Sequence, residues 1–122
     1  MTHRYFVYLR VQTPNGVWLH RRQSRDIWKG LSEFPLMEYD HRPDFSEVLA
    51  HHFVTQLGTK GVWTTLHEGM QHALTHQTIW ADAYALHLNE PVRVPEDFFE
   101  IDPVSLSDYA LPKLLLRIAS VD

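Results

Sequence analysis

At 122 residues, 44% of them apolar, this chain has room for one domain with its own hydrophobic core and too little for two. It contains no cysteine, which excludes disulfides, thiolate zinc sites and an iron–sulfur cluster held by the chain itself. The formal net charge of −4 argues against coating nucleic acid by bulk charge, and no apolar run nears the roughly 20 residues of a helical membrane span, so an intracellular protein without a membrane partner is expected.

The chain opens with Tyr5 to Val11, a β-branched and aromatic run that ends at Pro14-Asn15-Gly16, a turn signal before a second apolar run. This predicts a β-hairpin whose second strand is Val17 to Arg22. A basic loop follows: Arg21, Arg22, Arg25 and Lys29 form the densest cationic cluster, and among the first 30 residues only Asp26 opposes them. Such a cluster reads equally as a solvated face or as a set of phosphate contacts. Gly30 and Pro35 bend the chain around Trp28 to Leu36, and a third strand is expected near Glu33 to Met37.

Asp44 is a good N-cap and Glu47 completes a capping box. Phe45, Val48, Leu49, Phe53 and Leu57 recur at helical spacing, so a single helix is predicted over 45–57, ended by Gly58 and packed on a sheet through Phe45, Leu49 and Phe53. Residues 58–68 read as a connection with at most a short extended piece. Met70 to Leu74 and Thr78 to Leu88 both look extended, with Thr75-His76-Gln77 between them as a second hairpin turn. A proline-bounded loop over 90–96, a short strand from Phe98 to Ile101 and a helix from Pro112 to Ser120 complete the chain. The order β, β, β, α, β, β, β, α implies an α/β (α+β) domain in which a mixed sheet carries helices on its faces.

Nine histidines raise the question of a metal. His51-His52 and the pair His72 and His76 are candidates, but neither pair has a spacing such as H-E-x-x-H, and no metal site is expected.

The run from Val17 through Trp28-Lys29-Gly30-Leu31-Ser32-Glu33-Phe34-Pro35 resembles the opening of the C-terminal domain of A/G-specific adenine DNA glycosylases, the MutY family, with its W-x-G-L-x-E-F-P pattern. Tyr109-Ala110-Leu111-Pro112-Lys113-Leu114 is similar to the A-L-P-[RK]-L element near that domain's end, and Leu74-Thr75-His76 resembles the F-S-H loop between them. The resemblance implies a Nudix-like fold. It also implies one domain over residues 1–122, cut from a longer protein, that recognises the lesion and cleaves nothing alone. The catalytic residues and an iron–sulfur cluster would belong to an N-terminal glycosylase domain, so this chain is expected to hold no cofactor. The implied partners are that domain and double-stranded DNA containing 8-oxoguanine opposite adenine.

Within that resemblance, the predicted helix stands where a Nudix hydrolase carries G-x5-E-x7-R-E-U-x-E-E-x-G-U. Setting the last glycine on Gly58 puts Met37, Pro43, His51, His52, Thr55 and Gln56 at the G, E, R, E, E and E positions. The metal carboxylates are missing, and hard cations need oxygen ligands, so no catalytic residues are assigned. Recognition is expected instead at Leu74, Thr75 and His76, with Arg21, Arg22, Arg25 and Lys29 on the DNA backbone. Guanine offers an acceptor at N7, whereas 8-oxoguanine has an N7–H donor and an added oxygen at C8. The Thr75 hydroxyl can accept from that donor, in the place of the family's serine, while a backbone N–H donates to the new oxygen. Two alternatives stand beside this reading: a degenerate Nudix-like domain that binds protein or free nucleotide, and an active pyrophosphohydrolase.

Overall fold

The computed structural model describes residues 1–23, 25–57 and 60–119. Among them, seven strands form one mixed sheet with short helices on both faces, the α+β arrangement expected.

Strand β1 (Thr2–Thr13) is its axis. Phe6 and Tyr8 face one side and Val7, Leu9 and Val11 the other, all buried, so the sheet is covered on both faces. On one edge β1 runs parallel to β6 (Gln77–Leu88), in unbroken register from Thr2↔Gln77 to Gln12↔His87. Its other edge is shared. Tyr5 to Tyr8 pair with β4 (Leu36–Tyr39), whereas Gln12 and Thr13 pair with β2 (Gly16–Arg21), around the predicted Pro14-Asn15 turn. The partner changes at Leu9, whose N–H donates to the Pro35 carbonyl at 2.9 Å. Pro35 has no N–H to offer, which suits it to a gap where the ladder passes from one strand to another.

Beyond β1, β2 pairs with β3 (Ser32–Glu33) and with β7 (Phe98–Ile101). Gly16 permits the second pairing: its φ is +145°, and a Cβ there would stand 2.2 Å from the Ile101 carbonyl oxygen.

The connection expected over 58–68 is instead mostly strand. β5 (Gly61–Ala73) forms the outer edge of the sheet, antiparallel to β6. Its register shifts between Thr65 and His67 and again before Met70, so its apolar positions change phase twice and show no period of two.

The single predicted helix is two: α1 (Phe45–Ala50) and α2 (His52–Gln56). The capping box forms as read, with Glu47 N–H donating to Asp44 Oδ1 at 2.9 Å and Asp44 N–H to Glu47 Oε1 at 3.3 Å. His51 breaks the helix: its ψ is 140°, and its Nδ1 accepts from the Phe53 N–H at 3.1 Å. A side chain that caps locally competes with the helical ladder. Phe45 still packs on the sheet, its ring 5.2 Å from Tyr84 and 5.3 Å from Trp63, though 38% exposed, whereas Leu49 remains 41% exposed and Val48 takes the inner position expected of it. Phe53 does pack inward, against Phe98. Gly58, read as the helix terminator, lies outside the described residues.

A 3-10 helix over Pro103–Asp108, absent from the sequence reading, precedes α3 (Lys113–Ala119). Leu114, Leu115 and Ile118 of α3 are buried against the Phe6, Tyr8 and Ala81 face. Helices α1 and α2 cover the other face, over Val7, Leu9, Tyr84 and Leu86.

Candidate functional site

At the β5–β6 turn, Ala73 pairs with Thr78 and the Leu74 N–H donates to the Gln77 carbonyl at 2.8 Å. This tight closure turns Leu74 inward against the core and leaves Thr75 and His76 exposed at the tip. The His76 carbonyl accepts from Thr2 N–H at 3.3 Å, which anchors the tip to the start of β1. Leu74 is therefore held by packing, whereas Thr75 is exposed.

The loop after β2 is a closed structure of its own. Arg22 N–H donates to the Leu31 carbonyl at 2.9 Å, Gly30 N–H to Arg22 at 2.7 Å and Leu31 N–H to Trp28 at 3.0 Å. Trp28 takes a φ of +60°, a left-handed conformation that a residue with a bulky side chain adopts only when its surroundings hold it. Its ring meets Phe6 edge-on at 6.3 Å and His72 at 5.8 Å. Since His72 lies on β5 two residues before Leu74, the ring joins the basic loop to the hairpin.

Arg4 makes the second junction. Its guanidinium donates to both Asp26 oxygens at 2.8 Å, to Glu38 at 2.8 and 2.9 Å and to Gln77 Oε1 at 3.3 Å, so one side chain links the loop, β4 and the first residue of β6. The Glu38 and Asp26 hydrogen bonds raise its pKa further, and the Arg4 bond holds the Asp26 carboxyl below its usual range. The sequence reading missed this residue. The available signal was its alternation with Phe6 and Tyr8, which puts a cation on the core face of a strand.

Four cations were expected to face a phosphate backbone, and they divide. Arg21, Arg25 and Lys29 are exposed. Arg22 is 7% exposed and donates to both oxygens of Glu33, at 3.1 and 3.2 Å, to Asp26 at 3.0 Å and to the Ile27 carbonyl at 3.0 Å. It is a structural cation without the exposure that phosphate contact needs, which corrects the expectation. Glu33, fully buried, also accepts from the Tyr8 hydroxyl at 2.8 Å, and burial pushes the Tyr8 pKa well up. His20 Nε2 lies 2.9 Å from Glu33 but off the axis of a hydrogen bond.

Around the helix pair, the residues at the hydrolase signature positions have local duties. Thr55 Oγ1 donates to the His52 carbonyl at 3.0 Å, and His51 caps α2. Burial, and then His52, lower the His51 pKa, in the direction that favours an unprotonated capping nitrogen. Pro43 and Met37 are buried. Among the described residues, no three His, Asp or Glu side chains are grouped as metal ligands, and His72 packs on Trp28 while His76 stands at the exposed tip. No helix among them is long and apolar enough to cross a membrane.

The fold has solved counterparts. The C-terminal domain of mouse MUTYH, in a complex with human PCNA, superposes with a TM-score of 0.73 at 17% identity, covering 94% of this chain and 83% of that one. A MutT protein from Methanosarcina mazei Go1 gives 0.65 at 16% identity, over 97% and 90% of the two chains. The E. coli ORF135 protein gives 0.66 at 15%, over 98% and 87%. At these identities the likeness is one of fold. No curated protein matches the sequence. Residues 5–120 match the model of the NUDIX domain, and the chain belongs to that family.

Proposed function

We propose that this chain is the lesion-recognition domain of an adenine DNA glycosylase, reading 8-oxoguanine opposite adenine in double-stranded DNA and leaving base removal to an N-terminal glycosylase domain. The observation that carries this reading is the joining of the Thr75-His76 tip to the basic loop, through Arg4 bonded to Asp26 and Gln77 and through Trp28 against His72. A lesion reader needs a donor–acceptor group at one base and cations that hold the flanking phosphates in register. Thr75 supplies the first, Arg21, Arg25 and Lys29 the second, and His76 stands beside Thr75 at the tip. The pyrophosphohydrolase reading is disfavoured by His52, Thr55 and Gln56 at positions where magnesium needs carboxylates.

The test is fluorescence anisotropy at low salt with two duplexes that differ only in 8-oxoguanine or guanine opposite adenine. The chain should prefer the lesion duplex, and Thr75→Val, which keeps the β-branched shape and removes the hydroxyl, should reduce that preference by roughly ten- to hundredfold or abolish it. Equal affinity of the unmodified chain for both duplexes overturns the reading, as does magnesium-dependent hydrolysis of an 8-oxo nucleoside triphosphate.

A further inference from the structure

Away from the loop and hairpin tip, β1 and β6 leave a second concavity at the end of the sheet that the helix pair does not reach. Phe45 covers Tyr84 at 5.2 Å, but Tyr5 and Trp80, side by side in the parallel ladder and on the same face, stay half-buried. They line a cleft of about 280 Å³ together with Arg42, Pro43, Gly69 and Asp82, just below the usual range for small-molecule sites. The Trp80 indole N–H donates to His3 Nδ1 at 3.0 Å, which fixes its ring.

The polar side of this cleft is built with unusual expense. The Asp82 side chain is 5% exposed, and it accepts from Arg42 Nη2 at 3.0 Å, Arg42 Nε at 3.3 Å and Gly69 N–H at 2.7 Å. Gly69 has a φ of +64° at an irregularity in β5, and a Cβ there would stand 3.7 Å from the guanidinium. A buried carboxylate and a backbone irregularity together orient one arginine whose side chain is 55% exposed. Arg42 Nη1 has no hydrogen-bond partner among the described residues. Asp82 cancels the arginine's charge and Glu68 adds to the negative field there, so a phosphate gains little. Two aromatic rings and a directed N–H suit a neutral planar ring with acceptors on its edge.

We propose that this cleft binds an unstacked guanine base, which stacks on Trp80 and Tyr5 while Arg42 Nη1 donates to its O6/N7 edge. The base can come from a free nucleotide or from an unpaired position in a DNA strand.

The experiment titrates the chain with guanosine 5′-monophosphate, ribose 5-phosphate and a guanine-bearing single-stranded oligonucleotide. It follows the Trp80 indole N–H resonance, assigned by its loss in Trp80→Phe. The monophosphate should shift that resonance and ribose 5-phosphate should not displace it. Arg42→Lys keeps a cation for Asp82 but has one donor nitrogen in place of the guanidinium fork, and Tyr5→Leu removes one ring, so each should weaken binding by about tenfold. Oligonucleotide binding with the same dependence on Arg42 assigns the base to DNA, and response to the monophosphate alone assigns it to free nucleotide. No binding of either probe, equal competition by ribose 5-phosphate, or indifference to both substitutions overturns the proposal. Neither substitution touches Thr75, Arg25 or Lys29, so the preference for the lesion duplex stands or falls separately.

Discussion

Glu33 is a carboxylate with no exposed surface, held by two N–H contacts from Arg22 and by the Tyr8 hydroxyl. Removing one partner of such a pair leaves the other charged and dry, which costs about 3–5 kcal/mol, a large part of the stability of a small domain. Glu33→Ala should therefore lower the urea midpoint steeply, while Arg21→Ala, at an exposed neighbour of the same charge cluster, should barely move it. Equal effects would mean that the buried network carries no special weight. The same pair marks a limit of the sequence reading. Glu33 and Arg22 both lie in the stretch that resembles the glycosylase domain, yet adjacency to Arg21 and Arg25 put Arg22 in one exposed cationic cluster expected on the DNA backbone. A run of like charges gives no side-chain direction, and Arg22 turns under the loop because Glu33 on β3 and Asp26 in the loop lie within its reach.

At the scale of elements, what was legible depended on whether local chemistry alone decided the outcome. The β1–β2 hairpin, the start of α1 at its Asp44–Glu47 box and the hairpin tip at Thr75-His76 are fixed by residues a few positions apart, and each stands where it was read. Of strand β5 only the part from Met70 was legible, because two register shifts break the alternation before it, and the division of the helix was not legible either, because a histidine cap carries no strong sequence signal. That cap makes the α1–α2 joint sensitive to acid. The folded-state pKa of His51 is lowered by burial, so its contribution to stability is complete above the ordinary value near 6.5 and is lost as pH falls below it through the folded value. His41, hydrogen-bonded to Asp40 and Glu47, has a raised pKa and the opposite dependence. Comparison with His51→Asn isolates the joint, because asparagine caps a helix at any pH while His41 is common to both chains. Thermal midpoints should fall more steeply below pH 6.5 in the parent than in the variant. Parallel curves would show that the cap does not titrate in the folding transition.

For the molecule as a whole, a net charge of −4 sets the terms on which it can meet DNA. A net negative charge opposes approach to phosphate at long range, so productive contact has to come from a local excess of cations such as that around the loop after β2. There Arg4 and Arg22 are already occupied by Asp26, Glu33 and Glu38, which leaves Arg21, Arg25 and Lys29 as the exposed cations of the loop. If they neutralise phosphates, each contact releases a counterion and adds about 0.9 to the slope of log affinity against log salt. The proposed interface should therefore show a shallow slope, about three at most, unlike that of a bulk-charge binder. Replacing Arg25 and Lys29 together by alanine should lower the slope by about two, with equal weakening on lesion and undamaged duplexes, because phosphate contacts position the protein without reading the base. Thr75→Val should do the converse and leave the slope unchanged while the preference narrows. Separation of these two effects is what distinguishes a reader held in register by a small basic loop from a tip that merely closes a hairpin. An unchanged slope in the double variant would return Arg25 and Lys29 to the solvent.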